Sequence, residues 1–385
     1  MKNKINWPWP QFSQRAIHRV ADLLATGRVN YRGSSVSKCF EEKWCETLNV
    51  SHSYAVCNGT QALELALESL GLEPGSEVIT PARSFVATAS SILRNNLRPI
   101  FCDVDIRTQG LNLEKIKPLI SSKTKAIIIV HLGGWPAEIE TLIEFCQKKN
   151  IFIIEDCSQA HGAKYGEKHL GTQSDIGIFS FCIDKIISTG GEGGLIVTSN
   201  EKLAERIARL RDHGGMRNKN SSEQFEYQRT IAGTNSRMTA IQMVLGLEQL
   251  EDFKQQLIRR NEIAIKIRAA LESNPIFQVP QIHLKEIPSW YRIYFSIENG
   301  EGDLDQRQLH YLSIKKQLLQ QGIPLANVSC PDISKEPMFA QYRSSVFPLP
   351  NCEKLSTTQF ALPSHPTISE EDLEILIKRI ETFRL

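Results

Sequence analysis

No two cysteines in this chain form a CxxC pair, although there are nine of them, at 39, 45, 57, 102, 146, 157, 182, 330 and 352. The number is odd and several fall inside apolar runs. That argues against a disulfide framework and fits reduced thiols in a cytoplasmic protein. Cys and His at short paired spacing are also missing, so no metal site is expected. No run approaches the roughly 18 uninterrupted apolar residues of a membrane span. The opening MKNKINWPWPQF has no apolar core, so a secretory signal is not expected. An excess of charge of one sign is lacking, since 45 Lys and Arg stand against 43 Asp and Glu. No basic run offers itself to nucleic acid or to an anionic membrane. Internal repeats and low-complexity linkers are absent as well.

What is present is 385 residues, 41% of them hydrophobic and 23% charged, enough for two cores. Amphipathic helices are expected over Gln11–Leu24 and Ser34–Val50. A strand, a turn at Asn58-Gly59-Thr60 and a helix ended by Gly71 follow. Short β-rich runs then alternate with helical ones. Strands are expected at EVITP (77–81), RPIFCDVD (98–105), KAIIIVH (125–131) and IFIIEDC (151–157), with DIGIFSF and GGLIVTS after them. This alternation predicts an α/β fold with a mainly parallel sheet covered on both faces. Residues 235–273 read as a long helical stretch of one or two helices. Residues 274–385 mix strands, helices and a Pro-rich stretch and read as a smaller α+β domain. The division expected is 1–250 for the large domain and 251–385 for the small one, with the first ~30 residues able to pack on the latter. Gly214–Gln228 is polar and reads as a long mobile loop.

In a parallel α/β sheet, ligands bind beyond the carboxyl ends of the strands. Asn58-Gly59-Thr60-Gln61 lies at such an end and opens a helix, where backbone N–H groups can hold a phosphate. Gly-Thr helix starts are also common without any ligand. Asp156 closes the strand IFIIED, either as a cap or as a site carboxylate seeking a cation. Lys185 follows the strand DIGIFSF. It is either a solvated loop charge or an amine able to form a Schiff base. Ser180 precedes it, and Gly190, Gly191, Gly193 and Gly194 follow.

The blocks NGTQALELAL, TPARSFVATASSIL, RPIFCDVD, HLGGWPAEIE, IIEDCSQAHGA, FSFCIDKIISTGGEGG, RDHG and GTNSRMTAIQMVLGLEQL occur in this order. Together they resemble the DegT/StrS family of pyridoxal-phosphate-dependent (PLP) aminotransferases, and the resemblance covers nearly the whole chain. It implies the fold type I architecture, with a mainly parallel seven-stranded sheet between helices and a smaller C-terminal α+β domain. It implies a Schiff base between Lys185 and pyridoxal 5'-phosphate, with Lys185 also shuttling a proton. Asp156 would pair with the pyridinium nitrogen, Phe85 would stack on the ring and Gln159 would contact it near the phenolic oxygen. Gly59, Thr60, Gln61 and Ser180 would hold the phosphate. Asn235 would reach the phosphate of a neighbouring subunit, which implies a homodimer with shared sites.

The resemblance further implies transfer of an amino group from L-glutamate or L-glutamine to a keto sugar, nucleotide-linked in much of the family. A ketocyclitol or an aminohydroxybenzoate precursor is the alternative acceptor, to which WPWPQF and GIPLANVSCPDISKEPMF point. A regulatory protein that keeps the fold without catalysis is a further alternative. Retention of Lys185 and Asp156 speaks against it. Sugar-dehydrating relatives carry His in place of the lysine, so Lys185 favours transamination. A nicotinamide dehydrogenase does not fit, because the glycine cluster precedes a strand and not a helix. Substrate candidates are Tyr31, Arg32, Arg217, Trp290 and His365, with Arg28, Trp135 and Tyr227 behind them. Each equally fits a packing role. One departure stands out: GEGG starts at Gly191, six residues after Lys185, which looks like an insertion of one residue.

Overall fold

The computed structural model describes residues 5, 7–32, 34–217, 227–300, 302–328, 332–342 and 348–385, except for the side chains of 216, 217, 227 and 228. Helix α1 (Gln14–Thr26) starts where the Ser13 hydroxyl accepts the Ala16 N–H, and α2 (Ser35–Leu48) starts likewise from Ser34. Then come β1 (His52–Val56), α3 (Gly59–Ser69), β2 (Glu77–Pro81), α4 (Ala87–Arg94), β3 (Arg98–Cys102), the short α5 (Leu113–Ile116), β4 (Thr124–Val130), α6 (Ile139–Lys149) and β5 (Phe152–Asp156). Two short strands, β6 (Lys164–Tyr165) and β7 (Lys168–His169), precede β8 (Ile176–Ser180), β9 (Gly194–Thr198) and α7 (Glu201–Arg211). The hairpin strands β10 (Gly215–Arg217) and β11 (Tyr227–Arg229) lead to α8 (Ala240–Glu251) and α9 (Phe253–Ser273).

The large sheet has seven strands in the order β1-β9-β8-β5-β4-β2-β3. Strand β9 runs antiparallel to both its neighbours, and every other pairing is parallel. Alternate residues explain the two covered faces. On one face Ile128, Ile154, Ile178 and Ile196 pack against apolar residues of α3, α4 and α7. On the other, Phe179, Leu195 and Val197 meet α2 and α8, while Ile127, Ile129 and Ile153 meet α6. The parallel order sends the carboxyl ends of β1, β2, β5 and β8 to one edge of the sheet, the edge at which ligands of such folds bind.

The smaller C-terminal α+β domain contains β12 (Phe277–Gln278), β13 (Glu286–Ile287), β14 (Ile293–Ile297), α10 (Leu304–Gln320), α11 (Pro350–Thr358), β15 (Gln359–Leu362) and α12 (Glu370–Thr382). Its sheet has the order β12-β14-β15, and its core joins Phe295 and Phe360 to apolar residues of α9, α10 and α12. Ile5 and Trp7 pack into that core, whereas α1 lies on α8, with Arg15 and Arg19 both bonded to the buried carboxylate of Glu248. Among the described residues, no helix is long and apolar enough to cross a membrane.

The structure differs from expectation in three places. Strand β3 ends at Cys102 and not at Asp105. Asp103 bonds the Asn351 and Cys352 amides and Lys115, and Asp105 accepts the amides of Arg107 and Thr108, so both carboxylates turn the chain. The stretch read as one mobile loop over 214–228 is a hairpin at its described ends, Gly215–Arg217 pairing with Tyr227–Arg229; residues 218–226 lie outside the described residues. The extra glycine after Thr189 is absorbed by two consecutive left-handed residues, Gly190 at φ +88° and Gly191 at φ +137°. Thr189 and Gln242 both bond the Glu192 carbonyl at 2.7 Å and hold the enlarged turn.

Candidate active site

The turn between β1 and α3 forms the first wall. Asn58 is extended, and its side-chain oxygen accepts the Gln61 N–H at 2.8 Å, which starts the helix. The next two amides, of Gly59 and Thr60, have no acceptor within the helix, as at any helix start. Gly59 is required by close approach. A Cβ there would lie 2.7 Å from the Cβ of Ser180, the last residue of β8. The N-terminus of α3 is thereby pressed against the Ser180 hydroxyl.

Asp156 closes β5 and is buried. It accepts the Ser158 N–H at 3.0 Å and the Thr88 hydroxyl at 3.3 Å. Among the described residues, no cationic side chain pairs with it. Its neighbour Glu155 points to the opposite face, as strand alternation demands. There it accepts the amides of Gly171 and Gln173 and the Ser174 hydroxyl and faces His131. Burial pushes the Glu155 carboxyl up, but His131 and these donors outweigh it and hold it below the ordinary value. Cys157 lies close to this pair, and the other His131 nitrogen accepts the Ala137 amide.

Lys185 sits in a turn after β8 in which its N–H bonds the Cys182 carbonyl at 3.0 Å. Its ammonium lies 3.5 Å from an Asp184 oxygen and 5.1 Å from the centroid of the Tyr291 ring. The Tyr291 hydroxyl donates to Asp184. The Arg292 guanidinium stacks on Tyr291 at 4.0 Å and approaches Asp184 at 3.7 Å. Burial works against the Asp184 charge, yet Lys185, Tyr291 and Arg292 together hold its carboxyl below the ordinary value. Burial pushes the Tyr291 phenol up.

These groups enclose one cavity of about 630 Å³, lined by Gly59, Thr60, Phe85, Asp156, Gln159, Ser180 and Lys185 among others. Phe85 presents its ring at 64% exposure. Gln159 accepts the Gly133 amide at 2.8 Å. The remaining residues singled out from the sequence lie elsewhere. The Gln61 side chain turns to Glu64 and to the Ser236 hydroxyl, while its main-chain N–H is engaged in the cap. Asn235 is exposed and bridges to Asp212 through its backbone. Tyr31 binds Arg211 and Glu41 away from this cavity, and burial pushes its phenol up to about 12. Arg32 pairs with Asp212. Trp290 is a core residue, edge-on to Trp135 and bonded to Asn261 at 3.0 Å. His365 stacks on Trp9 behind the wall, and burial, then Arg260, lower its pKa to about 3. The Arg217 side chain lies outside the described residues.

Sequence reasoning missed Thr88, Asp184, Tyr291 and Arg292. The signal for the last two was the run WYR, in which Trp290 drew attention and its two neighbours carry the cavity wall.

The profile of the DegT/DnrJ/EryC1/StrS aminotransferase family matches residues 10–381. The chain is 32% identical over 375 residues to the GDP-perosamine synthase of Escherichia coli O157:H7, covering 97% of each. It is 36% identical over 270 residues to the L-glutamine:2-deoxy-scyllo-inosose aminotransferase of Streptomyces lividus, covering 67% of this chain and 63% of that one. The solved aminotransferase of Psychrobacter cryohalolentis superposes with a TM-score of 0.90 at 30% identity, covering 98% of both chains. The chain belongs to the DegT/DnrJ/EryC1/StrS aminotransferase family.

Proposed function

We propose that this protein uses pyridoxal 5'-phosphate, held as a Schiff base on Lys185, to move an amino group from L-glutamate or L-glutamine to a nucleotide-linked keto sugar. The observation that carries the reading is a single cavity holding a lysine amine, a buried carboxylate that has no cationic partner among the described residues, an aromatic face and a helix N-terminus.

The residues present fit the group. Asp156 is buried and, among the described residues, has a hydroxyl and an amide upon it and no cation. A protonated ring nitrogen supplies the cation that such a carboxylate prefers. The α3 N-terminus, at Gly59 and Thr60, offers amides and a positive dipole end to a phosphate. Ser180 adds a hydroxyl, whose oxygen accepts the Cys182 amide at 3.4 Å and whose hydrogen can donate outward. Phe85 supplies a ring face that stacking would cover.

When bound, pyridoxal 5'-phosphate supplies an electron sink beside the transferred nitrogen. Asp156 keeps a proton on the ring nitrogen by its negative charge. Lys185 Nζ would hold and move a proton at the carbon bonded to the transferred nitrogen, acting as general base and then as general acid. Asp184 holds Nζ from one side, and the Tyr291 hydroxyl and Arg292 fix Asp184.

We also place Asn235 at the phosphate of a second copy, so that the working unit is a homodimer with shared sites. Tyr31 and Arg32 then belong to the acceptor pocket of that copy. The exposure of Asn235 in the single chain supports this. A solution mass of one chain at working concentration would remove this part of the reading.

A nucleotide-sugar acceptor is supported by the similarity to GDP-perosamine synthase. A ketocyclitol acceptor with glutamine as donor is the second reading, supported by the 36% identity to the 2-deoxy-scyllo-inosose enzyme. Two measurements test these readings. The purified protein with pyridoxal 5'-phosphate should absorb near the visible edge, and Lys185→Ala should abolish that band; a band that persists would overturn the role of Lys185. A screen of both donors against nucleotide-linked keto sugars and ketocyclitols, read by product mass, then separates the acceptors.

A further inference from the structure

The opening WPWPQF has no part in the chemistry just described, yet it touches the lysine that does. Ile5 and Trp7 pack into the core of the smaller domain. On the far side, the Gln11 carbonyl accepts the Gln249 side-chain amide at 2.9 Å, which holds the chain to α8 of the larger domain. Trp9 lies between these anchors. Its indole N–H donates to the main-chain carbonyl of Lys185 at 2.8 Å. Among the described residues, that carbonyl has no other donor.

The Trp9 ring is fixed from the smaller domain. One face stacks on His365 with ring centroids 5.8 Å apart and 17° between planes. The Arg260 guanidinium lies 5.0 Å from the ring centroid. Arg260 is fully buried and bonds the Ser364 carbonyl at 3.2 Å, with no carboxylate partner among the described residues. A buried cation without an anion gains from an aromatic face. Two groups of the smaller domain therefore hold the ring whose N–H reaches Lys185.

We infer that Trp9 is a positioning residue for Lys185, anchoring the lysine main chain to the smaller domain through His365 and Arg260. This rests on the reading of Lys185 as the Schiff-base lysine. That amine must reach two places in turn, and small misplacement of a reacting group costs heavily in rate. The Lys185 N–H bonds the Cys182 carbonyl and Asp184 beside it is held by Tyr291 and Arg292, but none of these bonds reaches the Lys185 carbonyl that Trp9 holds.

Trp9→Phe and Trp9→Ala in the full chain test the inference. Phe keeps a ring over His365 and Arg260 but has no N–H; Ala loses both. In Trp9→Phe, we expect faster amide exchange in peptides spanning 182–189 without added cofactor. With pyridoxal 5'-phosphate, the pH midpoint of the visible band should shift. The kcat should fall by roughly five-fold, the value of one lost hydrogen bond, with KM for the acceptor little changed. The thermal midpoint should stay near that of the parent, and only Trp9→Ala should lower it. Unchanged exchange and an unchanged midpoint of the band in Trp9→Phe would overturn the inference. So would losses in kcat that merely follow thermal destabilisation in both variants. If the parent shows no band that depends on Lys185, the reading of Lys185 fails separately, and the exchange comparison still decides whether Trp9 holds the loop.

Discussion

Glu155 and Asp156 are adjacent carboxylates with opposite fates, and a strand's two-residue period separates them. Glu155 is completely buried in a network with His131 and three donors, while Asp156 faces the cavity with no cation upon it among the described residues. Asp156→Asn keeps the shape and removes the charge. The lost attraction at close range is about 4 kcal/mol in a partly polar site, so kcat should fall on the order of 10³-fold with the thermal midpoint little changed. Glu155→Gln should do the reverse, costing about 3 kcal/mol of stability by replacing a buried charged acceptor of several hydrogen bonds with a neutral amide, with kcat per folded molecule nearly retained. Equal stability losses in the two variants would contradict this division. From the sequence alone, Asp156 could be a cap or a site group, since only its place at the end of β5 decides which face it takes. Trp290 shows the opposite difficulty. It precedes β14 in a left-handed conformation (φ +56°), so no strand period tells which of Trp290, Tyr291 and Arg292 faces the cavity.

At the scale of elements, the helices and central strands were legible because burial imposes periods of 3.6 and 2 on them. The stretch Thr124–Val130 is buried at all but one position, as an inner parallel strand should be. The connections were less legible, because hydrogen bonds of individual side chains shape them. Asp103 and Asp105 end β3 in this way, and the Gly190-Gly191 pair absorbs an extra residue with no periodic signal. The turn into α3 is the connection on which the phosphate role depends. Adding one methyl at Gly59 brings it to 2.7 Å from Ser180 Cβ, which is too close for any relaxed packing. Gly59→Ala should therefore part α3 from β8 and weaken pyridoxal 5'-phosphate binding by roughly 5- to 150-fold, an overpacking cost of about 1–3 kcal/mol. Titration of the visible band against added cofactor measures this. An unchanged dissociation constant would remove the α3 start from the phosphate site.

For the whole molecule, the order of α/β units pointed to a mainly parallel sheet, and the ordered blocks pointed to the family and, through it, to seven strands. That the first ~30 residues could pack on the smaller domain was an expectation, but which residues make the contact was not legible, because Ile5, Trp7 and Trp9 follow no repeat. The assembled packing also sets how stability responds to pH. His161 is enclosed by Trp44, Phe179 and Phe181, and burial, then Lys185 and Arg260, lower its pKa to about 3. His365, between Trp9 and the cations Arg260 and Arg292, is lowered to about 3 by the same order of causes, with Asp184 acting the other way. Both are neutral in the folded chain at pH 5, whereas an unfolded histidine takes a proton below about pH 6.5. The unfolded state thus binds more protons between about pH 6.5 and pH 3, and stability rises with pH across that window. The contribution is complete above about pH 6.5 and is lost progressively on acidification toward pH 3, at up to about 3 kcal/mol per pH unit for the two groups together. The urea midpoint should fall from pH 7 to pH 5. His161→Leu, whatever its effect at pH 7, should flatten that fall by one proton's share. An unaltered slope in His161→Leu would mean that His161 carries its proton, or shares it, in the folded protein.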